Sequence, residues 1–178
     1  MTPNAIIFHG TGGDPQNCWY PWLGARLEAR GYAVEIPHYP GLNRDPIEAF
    51  LPTVLAGHAF DDGTVLVGHS GGAALLLGIL EHIDTPISQA VLVAGYATRP
   101  NTAEEPVLQD TYDWERIKAH VRDLYFVNSA RDPYGCDAAQ GRSMLDRLGG
   151  TQIVRTEGHF GDIDDPYPSF ELLDRLID

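Results

Sequence analysis

The chain has 178 residues and a mass of 19.5 kDa, the size of one globular domain spanning 1–178. Its formal net charge is −13 and it has no cluster of Lys or Arg, so neither a nucleic acid nor an anionic membrane surface is an expected partner. Two distant cysteines, Cys18 and Cys136, do not make a disulfide framework. The sequence lacks a long apolar run and a signal-peptide pattern, which predicts a cytoplasmic protein.

Six short apolar segments, each ending in a loop signal, predict β-strands. They are residues 4–9, 32–37, 64–68, 89–94, 123–128 and 152–155. Their nearly continuous apolar character is typical of strands in a parallel sheet, because such a sheet is covered on both faces.

Between these strands, apolar residues recur at helical spacing in five further segments. They are residues 21–30, 45–58, 72–83, 137–148 and 168–177. This alternation predicts one α/β domain, a three-layer α/β/α sandwich around a mostly parallel sheet of about six strands. Segment 96–113 has no clear pattern and is too short for a large lid, which favours an open site for small substrates.

One motif with specific chemistry lies between a predicted strand and a predicted helix. Gly68-His69-Ser70-Gly71-Gly72 matches G-x-S-x-G. A serine on such a turn projects its Oγ into solvent, and the outer glycines avoid clashes within the turn. The helix N-terminus places free N–H groups and the positive end of the helix dipole beside the serine. The motif therefore predicts Ser70 as a nucleophile.

A nucleophilic serine needs a histidine base, and the base needs an acid that orients it. With this strand-to-helix motif, the chain order is serine, then acid, then histidine. Asp132 follows the fifth predicted strand and His159 follows the sixth, so both should reach the carboxyl edge of the sheet. Other acids are interpreted as helix caps or loop acids: Asp137, Asp162, Asp164 and Asp165.

The first predicted strand runs into the glycine-rich segment His9-Gly10-Thr11-Gly12-Gly13. The backbone N–H of Thr11, with Gly12 as the alternative, and that of Gly71 are the predicted oxyanion-hole donors. A dinucleotide-binding loop is disfavoured because Pro15 stands where the third glycine is required.

Closeness in sequence to these motifs suggests the lining of a substrate pocket. The candidates are His9, Gly12, Trp19, Tyr20, Trp22, His69, Tyr96, Tyr134 and Phe160. Core packing is the alternative for the aromatic residues of segment 19–22. The histidines and cysteines show no metal-ligand spacing, so no metal site is expected.

Together these motifs resemble the α/β-hydrolase superfamily, most of all its compact branch of small serine hydrolases related to retinoblastoma-binding protein nine. The similar pieces are His9-Gly10, Trp19, Pro21-Trp22-Leu23, Gly68-His69-Ser70, Asp132-Pro133 and Gly158-His159-Phe160. The resemblance implies a minimal fold with six strands, a triad of Ser70, Asp132 and His159, and no cofactor. Gly71 and Gly161 depart from the usual pattern of this branch and affect the expected substrate pocket.

The expected function is hydrolysis of small carboxylic esters through an acyl-enzyme. Amide, aminopeptidase-type or thioester hydrolysis by the same triad stays open, and so does a non-catalytic binding protein of the same fold. The expected partner is a small ester or amide.

Overall fold

A six-stranded sheet, all parallel, forms the centre of the protein. The computed structural model describes residues 2–162 and 164–177. The strands are β1 (Asn4–Phe8), β2 (Ala33–Glu35), β3 (Val65–His69), β4 (Ile87–Val93), β5 (Val121–Ser129) and β6 (Thr151–Arg155). Their spatial order is β2-β1-β3-β4-β5-β6, and every neighbouring pair is parallel. The predicted parallel α/β architecture is confirmed.

Helices pack on this sheet in two groups. They are α1 (Tyr20–Ala29), α2 (Ile47–Gly57), α3 (Gly71–His82), α4 (Trp114–Ala119), α5 (Ala138–Leu148) and α6 (Glu171–Leu176). Helix α1 contacts α6, whereas α3 contacts α2 and α4, and α4 contacts α5. Helices α1 and α6 thus form one group and α2 to α5 form the other, and with the sheet they make the expected three layers. Asp137 caps α5 by accepting hydrogen bonds from the N–H groups of Ala139 and Gln140, as predicted.

Helix α4 was not predicted from the sequence. It has only six residues, of which Ile117 alone is buried, so no apolar period develops along it. Its start is defined by Asp113, whose carboxylate accepts a hydrogen bond from Arg116 N–H at 3.0 Å. Segment 96–113, before α4, contains neither helix nor strand. Within 2–162 and 164–177, no helix is both long and apolar enough to cross a bilayer.

Two glycines allow α3 to pack directly on the backbones of β1 and β3. A Cβ atom on Gly72 would lie 2.4 Å from the carbonyl oxygen of His9 and 2.5 Å from that of Phe8. A Cβ atom on Gly68 would lie 2.5 Å from the carbonyl oxygen of Gly72. Backbone atoms cannot move away from such contacts without shifting the strands. These glycines therefore set how closely the serine turn approaches the edge of the sheet.

The closeness of this packing is tested by Gly72→Ala. We expect a loss of about 1–3 kcal/mol in the free energy of unfolding, measured by urea denaturation, because the new methyl group meets backbone oxygens of β1. Gly78→Ala on the same helix is the matched control. Its Cβ would lie 3.4 Å from a methyl of Leu51, and Ala favours a helix by up to about 1 kcal/mol. Equal losses of unfolding free energy in both variants would contradict the conclusion that α3 needs a glycine at position 72 to pack on β1.

Candidate active site

Ser70 occupies a strained turn between β3 and α3. Its φ is 55° and its ψ is −119°, a conformation that side-chain-bearing residues rarely adopt. Backbone hydrogen bonds on both sides of Ser70 hold the turn. Ser70 N–H donates to the carbonyl of Val93 at 2.8 Å, and the Ser70 carbonyl accepts from Ala73 N–H at 2.9 Å. The first N–H groups of α3, including that of Gly71, have no acceptor within the helix.

Asp132 and His159, predicted from separate parts of the chain, form a hydrogen-bonded pair. Asp132 follows β5 and His159 follows β6, and Asp132 Oδ2 lies 2.6 Å from His159 Nδ1. The Asp132 side chain is fully buried and the His159 side chain is 10% exposed. The second oxygen of Asp132 accepts hydrogen bonds from the N–H groups of Tyr134 and Cys136. The carboxylate is therefore held in one orientation toward the imidazole.

Ser70 and His159 line the same cavity, which has a volume of about 350 Å³. Of the predicted pocket residues, four line it: Tyr20, His69, Tyr96 and Tyr134. Among the described residues, no hydrogen bond joins Ser70 Oγ to His159. Cys136 lines this cavity together with Ser70.

Cys136 lies beside this group as a buried, protonated thiol. Burial raises its pKa, and the negative charges of Asp132 and Glu105 raise it further. One potential metal-ligand group occurs among the described residues: atoms of Asp132, Cys136 and His159 lie within 4.8 Å of one another. Two of its members already bond to each other, and a metal ion would have to displace the thiol proton.

Five of the predicted pocket residues do not line this cavity: His9, Gly12, Trp19, Trp22 and Phe160. His9 is buried and its Nε2 accepts from Tyr39 N–H at 3.0 Å. Trp19 and Phe160 are fully buried, so core packing applies to Trp19. Trp22 packs partly buried against the core, and Gly12 lies at an exposed turn with φ of +71°.

His69 links three parts of the site through a chain of hydrogen bonds. Gly10 N–H donates to the hydroxyl of Tyr20, which lies 2.6 Å from His69 Nδ1. Burial lowers the pKa of His69 to about 3, with the charge of His159 as a second cause, so the ring is neutral. Its Nε2–H therefore donates to the carbonyl of His159 at 2.8 Å, and the hydroxyl of Tyr20 donates to Nδ1.

Trp19 holds the neighbouring peptide of the histidine loop. Its indole N–H donates to the carbonyl of Phe160 at 3.0 Å, and Phe160 has a positive φ of 58°. The carbonyls of His159 and Phe160 thus each accept a bond from a buried ring. Trp19 and His69 therefore hold the histidine loop in position, and Tyr20 in turn bonds His69.

The loop after β1 has free donors where the sequence predicted them. Gly10 N–H bonds to Tyr20, and Gly13 N–H bonds to the carbonyl of Gly10 at 3.0 Å. Among the described residues, none accepts a hydrogen bond from the N–H of Thr11. Thr11 stands beside Gly71, since a Cβ on Gly71 would lie 2.5 Å from Thr11 Oγ1. This contact gives a physical reason for glycine directly after the serine.

Asn43 and Glu105 form a polar group on the cavity wall that the sequence did not indicate. Asn43 has a positive φ of 55°, and its Nδ2 donates to Thr11 Oγ1 at 2.9 Å and to Glu105 Oε2 at 2.6 Å. The hydroxyl of Tyr96 also donates to Glu105 Oε2. Both residues lie in irregular segments without a motif, and only the fold brings them together.

Asp162, interpreted from the sequence as a loop acid or helix cap, lies outside the helices and strands and lines the cavity with His159. It accepts a hydrogen bond from the hydroxyl of Tyr134, which raises the pKa of Tyr134 to about 12. The ring centroid of Tyr134 lies 4.8 Å from that of His159. Cys136, described above, is likewise a lining residue that the sequence did not indicate.

Known proteins share this fold and sequence pattern. A family described as serine hydrolase has a sequence model that matches residues 5–178. A relative named "Putative hydrolase YdeN", from Bacillus subtilis (strain 168), is 32% identical over 137 residues, which are 74% of this chain and 72% of the relative. The crystal structure of the ydeN gene product from B. subtilis has a TM-score of 0.89 at 25% identity, covering 98% of this chain and 96% of that chain.

Alpha/beta hydrolase domain-containing protein 10 from mouse has a TM-score of 0.71 at 14% identity, covering 100% of this chain and 89% of that chain. At this identity the likeness shows the fold alone. The parallel sheet and the strand-to-helix serine place the molecule among the α/β hydrolases. The chain belongs to the serine hydrolase family of that superfamily.

The neutral state of His69 has a measurable consequence for stability. The unfolded chain binds a proton at His69 below a pKa of about 6.5, whereas the folded protein resists this until about 3. The resulting stabilisation is fully present above about pH 6.5 and is lost as the pH falls toward 3. In His69→Gln, the loss of unfolding free energy per pH unit between about pH 6 and 4 should shrink by up to about 1.4 kcal/mol.

Urea denaturation across this pH range measures the effect. His82→Gln, at an exposed histidine on α3, is the control and should leave the slope close to that of the unsubstituted protein. An unchanged slope in His69→Gln would show that this ring is already protonated in the folded protein.

Proposed function

We propose that the protein hydrolyses small carboxylic esters through Ser70, His159 and Asp132, with a covalent acyl-enzyme intermediate. The observation that carries this proposal is the 2.6 Å bond between His159 Nδ1 and Asp132 Oδ2, at a cavity that His159 shares with the strained Ser70. A buried carboxylate on Nδ1 holds the proton there and leaves Nε2 as the base.

The first half-reaction transfers the acyl group to the serine. Ser70 Oγ turns toward His159 Nε2 by rotation about its Cα–Cβ bond. As Oγ bonds to the substrate carbonyl carbon, its proton moves to His159 Nε2, and Asp132 stabilises the imidazolium. The same proton then passes to the leaving oxygen as the ester C–O bond breaks.

The second half-reaction releases the acid. Water attacks the acyl carbon, gives its proton to His159 Nε2, and the bond to Ser70 Oγ breaks as that proton returns to Oγ. In both steps the carbonyl oxygen becomes negative. The backbone N–H groups of Thr11 and Gly71 serve as its donors, supported by their adjacency and by the absence of an acceptor on Thr11 N–H among the described residues.

Two alternative functions are compatible with the same fold. Amide, aminopeptidase-type or thioester hydrolysis differs only in the leaving group that His159 protonates. A non-catalytic binding protein would keep the fold without the chemistry. Small substrates are favoured by the cavity volume of about 350 Å³. The cytoplasmic location, and the absence of a nucleic-acid, membrane or cofactor partner, stay predictions from the sequence.

The nucleophile is tested by Ser70→Ala. We expect kcat for p-nitrophenyl acetate to fall by about 10⁴–10⁶, and covalent labelling by a fluorophosphonate to disappear, because no other described side chain replaces the hydroxyl. Ser143→Ala, at an exposed serine of α5, is the control and should keep both signals. Peptide mapping should place the label on Ser70. Retained turnover in Ser70→Ala would reject the proposal.

The role of the acid is tested by Asp132→Asn. The amide would favour the wrong imidazole tautomer, so kcat should fall by about 10³–10⁴ with little change in the binding of substrate. Asp137→Asn is the matched control, because Asn caps a helix as well as Asp does and α5 should persist. Similar kcat values for the two variants would contradict a role of Asp132 in orienting His159.

A further inference from the structure

The cavity that holds Ser70 has an acidic lining. Its acidic side chains are those of Glu104, Glu105 and Asp162, and no described Lys or Arg lines it. Glu104 is 78% exposed and pairs with Arg99, and Asp162 accepts a hydrogen bond from Tyr134. Glu105 is half-buried, unlike the exposed Glu104, and pairs with no described cation.

Glu105 is held in place by two neutral donors. The hydroxyl of Tyr96 and Nδ2 of Asn43 both donate to Oε2 of Glu105. Burial raises the pKa of Tyr96, so its hydroxyl keeps its proton and remains a donor. These bonds fix the direction of the carboxylate, while no described residue donates to Oε1. One oxygen of an oriented, partly buried carboxylate is thus left for a donor that the chain does not supply.

The electrostatics of this position favour a positively charged group. A carboxylate removed from bulk water loses solvation, and hydrogen bonds from neutral donors restore only part of it. A cation that enters the cavity forms an ion pair with Glu105 and gains a charge-assisted hydrogen bond to Oε1. The formal net charge of −13 adds attraction for cations at long range, which salt screens, whereas the contact with Glu105 is short-range.

The wall that carries Glu105 is the one next to the oxyanion donors. Glu105 bonds Asn43, and Asn43 bonds Thr11. His159, which protonates the leaving group in the proposed mechanism, has Tyr134 as a ring neighbour. The leaving group must lie against His159, so the acyl part is the portion of the substrate that faces Glu105.

We propose that Glu105 determines specificity for small esters or amides whose acyl group carries a primary ammonium, which donates to Oε1. The inference rests on the proposed hydrolase function. The ammonium takes no part in bond breaking; it binds Glu105 while Ser70 attacks the carbonyl.

The experiment compares matched p-nitrophenyl esters at about pH 6.5, where aliphatic amines are protonated. Esters of glycine, β-alanine and 6-aminohexanoate are paired with propionate, butyrate and heptanoate, in which a methyl replaces the ammonium. After subtraction of spontaneous hydrolysis, each pair gives a ratio of kcat/KM. In Glu105→Gln, which keeps an acceptor for Tyr96 and Asn43, this ratio should fall about 10- to 100-fold for at least one pair.

Glu104→Gln is the matched control, one residue away and with the same loss of charge. Its ratios should change by less than about threefold, because Glu104 is exposed and already paired with Arg99. Ratios that are unchanged in Glu105→Gln for all three pairs would overturn the inference, and so would an equal fall in Glu104→Gln.

A measurement on the unsubstituted protein keeps the inference testable if Glu105→Gln does not fold. Propylammonium should inhibit hydrolysis of the butyrate ester with a Ki at least about tenfold below that of 1-propanol, and equal inhibition would contradict it. The methyl-ended esters report the proposed function separately. If they are hydrolysed and Ser70→Ala abolishes this activity, the hydrolase proposal stands whatever the ratios are.

Discussion

The contact between the start of α3 and the end of β1 is the constraint on which the site depends. Glycine at position 72 lets the helix backbone meet the carbonyls of His9 and Phe8, and glycine at position 68 lets the turn close on itself. Only with this approach do the first N–H groups of α3 stand beside the loop that carries Thr11. The left-handed backbone of Ser70 is the local strain that accompanies this packing.

Two further loops are tied to that turn by buried rings. His69, directly before the serine, bonds the carbonyl of His159 on one side and the hydroxyl of Tyr20 on the other. Tyr20 in turn bonds Gly10 of the loop after β1. A neutral, buried imidazole therefore couples the serine turn, the histidine loop and the oxyanion loop. Such coupling by fully satisfied polar groups is a common way to preorganise a reaction centre.

The side chains around Ser70 divide the cavity into two electrostatic regions. Near His159, Asp132 is saturated with donors and directs the imidazole. Beside Asn43 and Tyr96, Glu105 has donors on one oxygen only. The first arrangement suits proton transfer, because its acid is occupied and fixed. The second suits binding, because one acceptor is free. A single acidic cavity can thus combine a reactive alcohol with a preference for cations.

The sequence predicted much of the fold because the signals are local. Six apolar strand segments and five helical periods were sufficient for the parallel α/β class, and the glycine spacing around Ser70 indicated the strained turn. The exception is α4, whose six residues bury only Ile117 and so carry no period. Pocket residues were predicted less well. Trp19 and Phe160 are near the motifs in sequence, yet their side chains point into the core.

The sequence by itself determined the chemical identity and chain order of Ser70, Asp132 and His159, since each follows a strand and parallel strands bring their carboxyl ends to one edge. Tertiary structure alone decided the partners. The bond between Asp132 and His159 and the contacts of Asn43 with Thr11 and Glu105 join residues from separate loops. Loop conformations depend on packing against the finished sheet, and no local pattern encodes such distances.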